Sequence, residues 1–306
     1  MQTRDQAFVP TDRRPPTEPP PFDGMQPSGA CAPGAKADRP VVNYFSAPTA
    51  AVRYAANRPQ SHSRVLELVA EHLQGKLPVD QALDVGCGTG HSTLALVPYA
   101  KRIVGIDSSS EMLAQAPRHP LIDYRKGYAE ALPFRAKSFD LLTVSAAYHW
   151  FDQERFLHEA ARVLRPDGGL LLYKVGSMGR AVGQPSFENW RQETLRSRYP
   201  KVARNNDALT RSVAEQIGFS EVLSETTVFQ QIYSLDAYIE NLLTHSSLIR
   251  VVDRGTEPIE AARDWLHTEL ATFFSGGQAE FAHDASIHVL RRKSGSPADQ
   301  APPAGQ

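Results

Sequence analysis

Two carboxylates close two apolar runs, and each is followed by residues that leave backbone open. Asp84 lies in Ala82-Leu83-Asp84-Val85 and leads into Gly86-Cys87-Gly88-Thr89-Gly90. Asp107 ends Ile103-Val104-Gly105-Ile106-Asp107 and leads into Ser108-Ser109-Ser110. Clustered glycines after a strand let a ligand lie against bare main chain, because glycine has no Cβ and takes positive φ freely. A helix starting at His91 aims its free N–H groups at the same place. Exclusion narrows the ligand. A phosphate cradle of the G-x-x-x-x-G-K-[ST] kind needs a Lys after Gly90, where His91 stands. A dinucleotide fingerprint needs a third glycine, also at His91. A carboxylate at Asp84 repels a pyrophosphate and suits an ammonium or sulfonium. Asp107 follows at the spacing of a ribose-binding acid. The pair points to a cationic nucleoside lying across two strand tips.

The elements that must position these groups read as an alternation. Strands are expected near 81–86, 102–107, 121–125, 139–145 and 169–175, with helices near 91–98, 109–116 and 152–164. Apolar strands separated by helices predict a parallel sheet covered on both faces. A helix capped by Ser61 or Ser63 precedes them and runs to about Leu77, with Val65, Leu66, Leu68, Val69 and Leu73 on its apolar face. After Lys174 the rhythm breaks. Residues 180–205 are basic and aromatic, Asp207–Ile217 reads as a helix, Ser224–Tyr233 as a strand, 235–275 as helices and Ser286–Leu290 as a last strand.

The run Asp84-Val85-Gly86-Cys87-Gly88-Thr89-Gly90-His91-Ser92-Thr93, with Val104-Gly105-Ile106-Asp107, resembles motifs I and II of class I S-adenosylmethionine-dependent methyltransferases. Tyr124 to Phe134 is similar to that family's adenine-contacting turn, Ser138 to Val144 to its fourth strand, and Leu164 to Gly169 to the turn before its fifth. Ala147-Tyr148-His149-Trp150-Phe151-Asp152 resembles the trans-aconitate methyltransferase-like subgroup. The resemblance implies a doubly wound, mostly parallel seven-stranded α/β sheet of Rossmann-like methyltransferase type. Its last strand would be inserted antiparallel, and a helical substrate lid would follow the fifth strand. It implies S-adenosyl-L-methionine as cofactor. The residues it assigns to cofactor binding are Asp84, Gly86, Cys87, Gly88, Gly90, Asp107, Ser108, Met112, Ala129, Glu130 and Ser145. Tyr54 and Arg58 resemble a lead-in that folds over the cofactor, where an Arg can pair with the methionine carboxylate. The subgroup's Tyr-Pro after Arg-Pro is replaced here by Gln60-Ser61-His62.

Composition sets the outer limits. The chain has 306 residues with a formal net charge of -1, 41% hydrophobic and 22% charged, as in ordinary globular proteins. Near-neutral charge gives no electrostatic reason to expect nucleic acid or an anionic membrane as partner. The only cysteines, Cys31 and Cys87, offer no disulfide framework and fit a reducing, cytoplasmic setting. No apolar run approaches the roughly 20 residues of a bilayer span, and no signal-peptide segment is read at the start. The expected organisation is a Pro-rich tail over 1–40, a methyltransferase domain over 41–293 with lid elements near 180–205 and 235–275, and a second tail over 294–306. Oligomeric state is not legible.

No metal ligand set is expected, since neither H-E-x-x-H nor C-x-x-C occurs. His149 follows the fourth strand, at the sheet edge where ligands sit. It is either a general base, its ordinary pKa lying near neutrality, or, with Trp150, a wall that orients the acceptor; the wall is the preferred reading. Arg residues of the basic segment can grip an acidic acceptor, although a solvated helix face is the ordinary explanation for any one of them. Thr244-His245-Ser246-Ser247 is a second polar cluster. The leading expectation is a metal-independent methyltransferase that O-methylates the carboxylate or hydroxyl of a small molecule. The alternatives are a C- or N-methyltransferase of secondary metabolism, a nicotinamide oxidoreductase, and a non-catalytic cofactor-binding partner protein.

Overall fold

The computed structural model describes residues 44–59, 61–73, 77–204 and 211–295. The expected N-terminal tail with Cys31, and the C-terminal tail from 296 onward, lie outside the described residues.

Pro48 opens α1 (Pro48–Asn57), which stops before the Arg58-Pro59 step, since a residue preceding proline is pushed out of the helical region. α2 (His62–Val69) buries Val65, Leu66 and Val69. It is shorter than its periodicity predicts, and Leu68 faces outward at 44% exposure. Strands and helices then alternate: β1 (Val79–Val85), α3 (His91–Ala95), β2 (Ala100–Asp107), α4 (Ser110–Leu113), β3 (Ile122–Lys126), β4 (Phe139–Ser145), α5 (Gln153–Val163) and β5 (Leu164–Val175). Ser61 stands at the start of α2 but makes no side-chain cap bond, so the expected cap is not formed there, whereas α4 and α5 are capped. Ser109 accepts from the Met112 amide and Asp152 from the Arg155 amide.

The remaining elements are β6 (Arg180–Ala181), α6 (Pro185–Asn189), α7 (Arg196–Arg198), α8 (Arg211–Ile217), β7 (Phe219–Ser234), α9 (Leu235–Leu242), α10 (Ser246–Val252), α11 (Ile259–Leu270) and β8 (Gln278–Arg292). The sheet order is β3-β2-β1-β4-β5-β8, with β7 outside β8. Strands β1 to β5 run parallel, and β8 lies antiparallel between β5 and β7. The expected antiparallel insertion is therefore present, on strands much longer than the expected 224–233 and 286–290. The two-residue β6 makes an eighth strand. It continues the line of β5 along the same edge of β8, through Arg180 opposite Ala282.

One face of the sheet buries Phe134, Phe139, Phe156 and Leu157 under α5 and α8, and the other buries Val65, Leu66 and Leu96 under α2. A third core, around Phe187, Trp190, Tyr238, Leu242, Leu266 and Phe281, gathers the helices that follow β5. These helices are tied to the mouth of the sheet. The Tyr238 hydroxyl donates to Met178 O at 2.8 Å and the Asn241 amide to Ser177 O at 2.7 Å. The strand order reverses between β1 and β4, so the crevice at their C-terminal ends is where such sheets take ligands.

Candidate functional site

Gly86 carries the chain out of β1 at φ +71°. Its amide and that of Cys87 donate to Ile106 O at 2.8 and 3.1 Å. A Cβ on Gly86 would stand 2.5 Å from Ala147 Cβ and 3.1 Å from the Phe151 ring. Glycine is thus required here both for the dihedral and for room against the segment after β4. Gly90 has φ +78°, and its Cβ would meet the Tyr124 hydroxyl at 2.5 Å. Gly88 donates its amide to Asp107 Oδ2 at 2.8 Å, which joins the two strand tips.

Asp84 departs from its expected role. The residue is fully buried and lines none of the cavities around the turn. Its Oδ2 accepts from the Ser92 and Thr93 hydroxyls at 2.6 and 2.7 Å, and its Oδ1 from Thr143 at 2.8 Å. Helix α3 begins directly after Gly90, so its first hydroxyls reach back to the strand and occupy the carboxylate. Burial pushes the Asp84 pKa up, against the pull of these three hydroxyls. Direct contact between Asp84 and a ligand cation is therefore corrected: the residue clamps β1, β4 and α3 together beneath the turn.

Asp107 faces a ligand space. It accepts from the Gly88 amide and, at 2.8 Å, from the Ser109 amide. Each carboxylate oxygen keeps a lone pair for a further donor. Burial raises its pKa, opposed by the Ser109, Gly88 and Ser108 amides. It borders a cavity of about 300 Å³ with Ser108, Met112, Ala129, Glu130 and Trp150. Tyr44 and Phe45 line the same cavity, and Ser109 Oγ holds Phe45 O at 3.0 Å. Glu130 Oε1 accepts from the Asp152 amide at 2.9 Å, so one of its oxygens is engaged at the start of α5. The Cys87 thiol packs inward over Gly105, and burial raises its pKa well above the usual thiol range.

On the other side of Gly86, Tyr54, Arg58, His62 and Ser145 line a second cavity of about 110 Å³. The Arg58 guanidinium lies 5.1 Å from the Tyr54 ring centre and donates to the Thr244 hydroxyl at 3.0 Å. No carboxylate pairs with it among the described residues. His62 Nδ1 lies 2.9 Å from the Tyr173 hydroxyl and 3.4 Å from Ser145 Oγ. Burial, then His91 and Arg58, push its pKa down to about 4. Ala146, next to Ser145, holds φ +51°, a conformation unfavourable for alanine and of the kind that collects at functional sites.

His149 lines a third cavity, of about 120 Å³, with Arg58, Lys174, Arg204 and His245. Burial, then Arg204, Lys174 and Arg58, push its pKa down to about 3. The imidazole is therefore neutral and more weakly basic than an ordinary histidine, which weighs against the general-base role; His149 stands with Trp150 on the wall of this cavity. Sequence reasoning missed Lys174, singled out neither Arg204 from its basic segment nor His245 from its polar cluster, and had no signal for the strained Ala146. Arg204 lies 5.0 Å over the Trp150 ring and donates to Ser246 Oγ at 2.6 Å. His245 Nε2 is buried without a hydrogen-bond partner.

The structure thus brings together Tyr54, Arg58, Gly86, Cys87, Gly88, Asp107, Ser108, Met112, Ala129, Glu130, Ser145 and His149 around connected cavities, and leaves Asp84 beneath them. Gly90 shapes the turn without lining these spaces. Residues 83–172 match the family model of a methyltransferase domain. That stretch is a class I S-adenosylmethionine-dependent methyltransferase domain. It is similar to a methyltransferase-designated protein of Dictyostelium discoideum, 32% identical over 121 residues, 40% of this chain and 45% of that one. It is also similar to the uncharacterized methyltransferase YcgJ of Bacillus subtilis, 39% identical over 99 residues, 30% of this chain and 39% of that one. The chain therefore spans less than half the length of these two relatives. A solved structure described as a type II methyltransferase of Anaeromyxobacter dehalogenans shares the fold at a TM-score of 0.57 and 22% identity, over 78% of this chain and 97% of that one. The methyltransferase domain takes S-adenosylmethionine as cofactor. Among the described residues no helix is long and apolar enough to cross a membrane, and no three His, Cys, Asp or Glu side chains cluster as metal ligands.

Proposed function

We propose that the protein methylates an oxygen of a small acidic molecule. The observation that carries this reading is the set of cations at the mouth of the cofactor site. Lys174 and Arg204 line both the cavity beside His149 and the larger one beyond it. Neither is paired with a carboxylate among the described residues. A cationic wall draws in an oxyanion and repels a protonated amine. It also depresses any imidazole nearby, as His149 shows. A carboxylate acceptor needs no base, which agrees with the lowered pKa of His149.

The residues fit the cofactor. Asp107 has lone pairs for both ribose hydroxyls, and the unpaired Arg58 guanidinium, seated by Tyr54, suits the methionine carboxylate. The bare backbone of Gly86 to Gly90 leaves room for the sulfonium-bearing chain. Ala129 and Glu130, with Ser108 and Met112, border the space for the adenine. Bound there, S-adenosylmethionine supplies a methyl carbon made electrophilic by its sulfonium. The chain's own work is positioning and exclusion of water, which account for several kcal/mol in such displacements. His149 and Trp150 wall the passage, and residues 180–205 and 235–275 serve as the acceptor lid of a domain over 41–293. The likeness of Ala147 to Asp152 to the trans-aconitate-type enzymes points the same way.

Incubating the protein with methyl-labelled cofactor and separate pools of acids, alcohols and amines tests this. The expected product carries label that mild alkali releases as methanol, as from a methyl ester. Alkali-stable label, arising from the amine pool, would reject it.

A further inference from the structure

Beyond the passage the space widens to about 340 Å³ between the loop after β5, the segment around α7 and the start of α10. Lys174, Arg180, Arg191, Arg196, Lys201 and Arg204 line it, and among the described residues Asp284 is the one acid that does so. Asp284 pairs with Arg180 at 2.7 Å, and Glu188 with Arg191 at 2.6 Å. No carboxylate among the described residues forms an ion pair with the other four, although Glu188 acts on Arg196 and Lys201 from farther off. They repel one another: Arg196 is the main influence lowering the Lys201 pKa, while burial and then Arg204 and Lys201 lower that of Lys174. Proteins seldom gather like charges around one hollow without an anion to neutralise them, because the self-repulsion opposes the compact state. The four separate by position. Lys174 and Arg204 also border the cavity beside His149, whereas Arg196 and Lys201 border the outer space and not that cavity.

We infer that the acceptor carries at least two anionic groups: its reacting oxygen beside Lys174 and Arg204, and a second oxyanion, carboxylate or phosphate, held by Arg196 and Lys201. This deepens the methyl-transfer reading and rests on it for the word acceptor. Arg196 suits a bidentate grip on a planar or tetrahedral oxyanion, and Lys201 acts as a point charge. The partner is thus a diacid or a phosphorylated acid rather than a simple fatty acid or a neutral alcohol.

Calorimetric titration of the full chain tests this, with acetate, succinate and inorganic pyrophosphate as probes, each with and without saturating S-adenosylhomocysteine. One doubly anionic probe is expected to bind at least about tenfold tighter than acetate, and whichever is tighter identifies the second group as carboxylate or phosphate. Arg196→Gln and Lys201→Gln each lower that affinity about tenfold, about 1.4 kcal/mol, while Arg196→Lys retains part of it. S-adenosylhomocysteine affinity stays unchanged in all three variants. The inference is overturned if succinate and pyrophosphate bind no better than acetate, or if the variants bind them as the parent does. Should a variant fail to fold, the ranking of probes on the parent protein still decides. Probe binding that weakens in the variants while S-adenosylhomocysteine fails to bind the parent would uphold the anion subsite and reject the methyl-transfer reading.

Discussion

Replacing Gly86 by alanine tests how tightly the ligand turn is built. Alanine at φ +71° costs about 1–2 kcal/mol. The new Cβ would lie 2.5 Å from Ala147 Cβ and 3.1 Å from the Phe151 ring, so one of these segments must shift. Forcing an extra methyl into a packed site costs about 1–3 kcal/mol. Together they predict a loss of about 2–5 kcal/mol in urea unfolding, seen as a lower midpoint at constant slope. The double variant Gly86→Ala with Ala147→Gly removes the closer of the two contacts and should recover about 1–2 kcal/mol, leaving the dihedral cost and the approach to Phe151. Gly86 borders each cavity around the turn, so S-adenosylhomocysteine affinity should also fall in the single variant by about tenfold or more. A loss under about 1 kcal/mol, or no recovery in the double variant, would refute the close packing of this turn on the segment after β4.

Asp84→Asn leaves buried hydroxyls of Ser92, Thr93 and Thr143 facing a weaker acceptor and should cost about 1–3 kcal/mol of stability. Calorimetry on the folded variant should nonetheless give S-adenosylhomocysteine affinity within about threefold of the parent, a difference under about 1 kcal/mol. The His62 imidazole is neutral in the fold, with its pKa lowered to about 4. The unfolded chain therefore binds more protons below its ordinary pKa near 6.5. His62 contributes stability that is fully present above about pH 6.5 and is lost as pH falls through about 4, a change of about 3 kcal/mol. Midpoints of urea unfolding measured across that window should show the slope in the parent, and His62→Gln should reduce it, leaving the share of the other buried histidines such as His149 and His245. His149→Ala should lower turnover while leaving cofactor affinity nearly unchanged, because the ring walls the passage. Normal turnover with weakened S-adenosylhomocysteine binding would reverse that assignment.

The parallel strands and the turn at Gly86 were legible because each depends on local pattern: an apolar run, then residues without a Cβ. Asp107 was legible for the same reason, as an acid ending a strand at a spacing that places it beside the first turn. Asp84 misled, since its sequence position says nothing about Ser92, Thr93 and Thr143 closing over it; that arrangement exists only when α3 and β4 pack on β1. Leu68 and the length of α2 were misjudged because periodicity does not reveal where the helix tightens into the turn at Ala70–His72. The long β7 and β8 were underestimated, as β7 is an edge strand with Val228 and Ile232 exposed and carries a weak apolar signal. His149 looked like a neutral-pH base in isolation. Its depression arises first from burial and then from Arg204, Lys174 and Arg58, which come from three distant parts of the chain. The same distance hid the cation-lined hollow beyond it.

S-adenosylhomocysteine affinity of Asp107→Asn, measured calorimetrically beside the parent, tests the seat assigned to the cofactor most directly. Removing the charge from hydrogen bonds to both ribose hydroxyls should weaken binding by about ten- to a hundredfold, in a variant whose circular dichroism and thermal midpoint show that it has folded. A folded Asp107→Asn protein that binds S-adenosylhomocysteine as tightly as the parent would contradict the placement of the nucleoside between the glycine turn and the tip of β2.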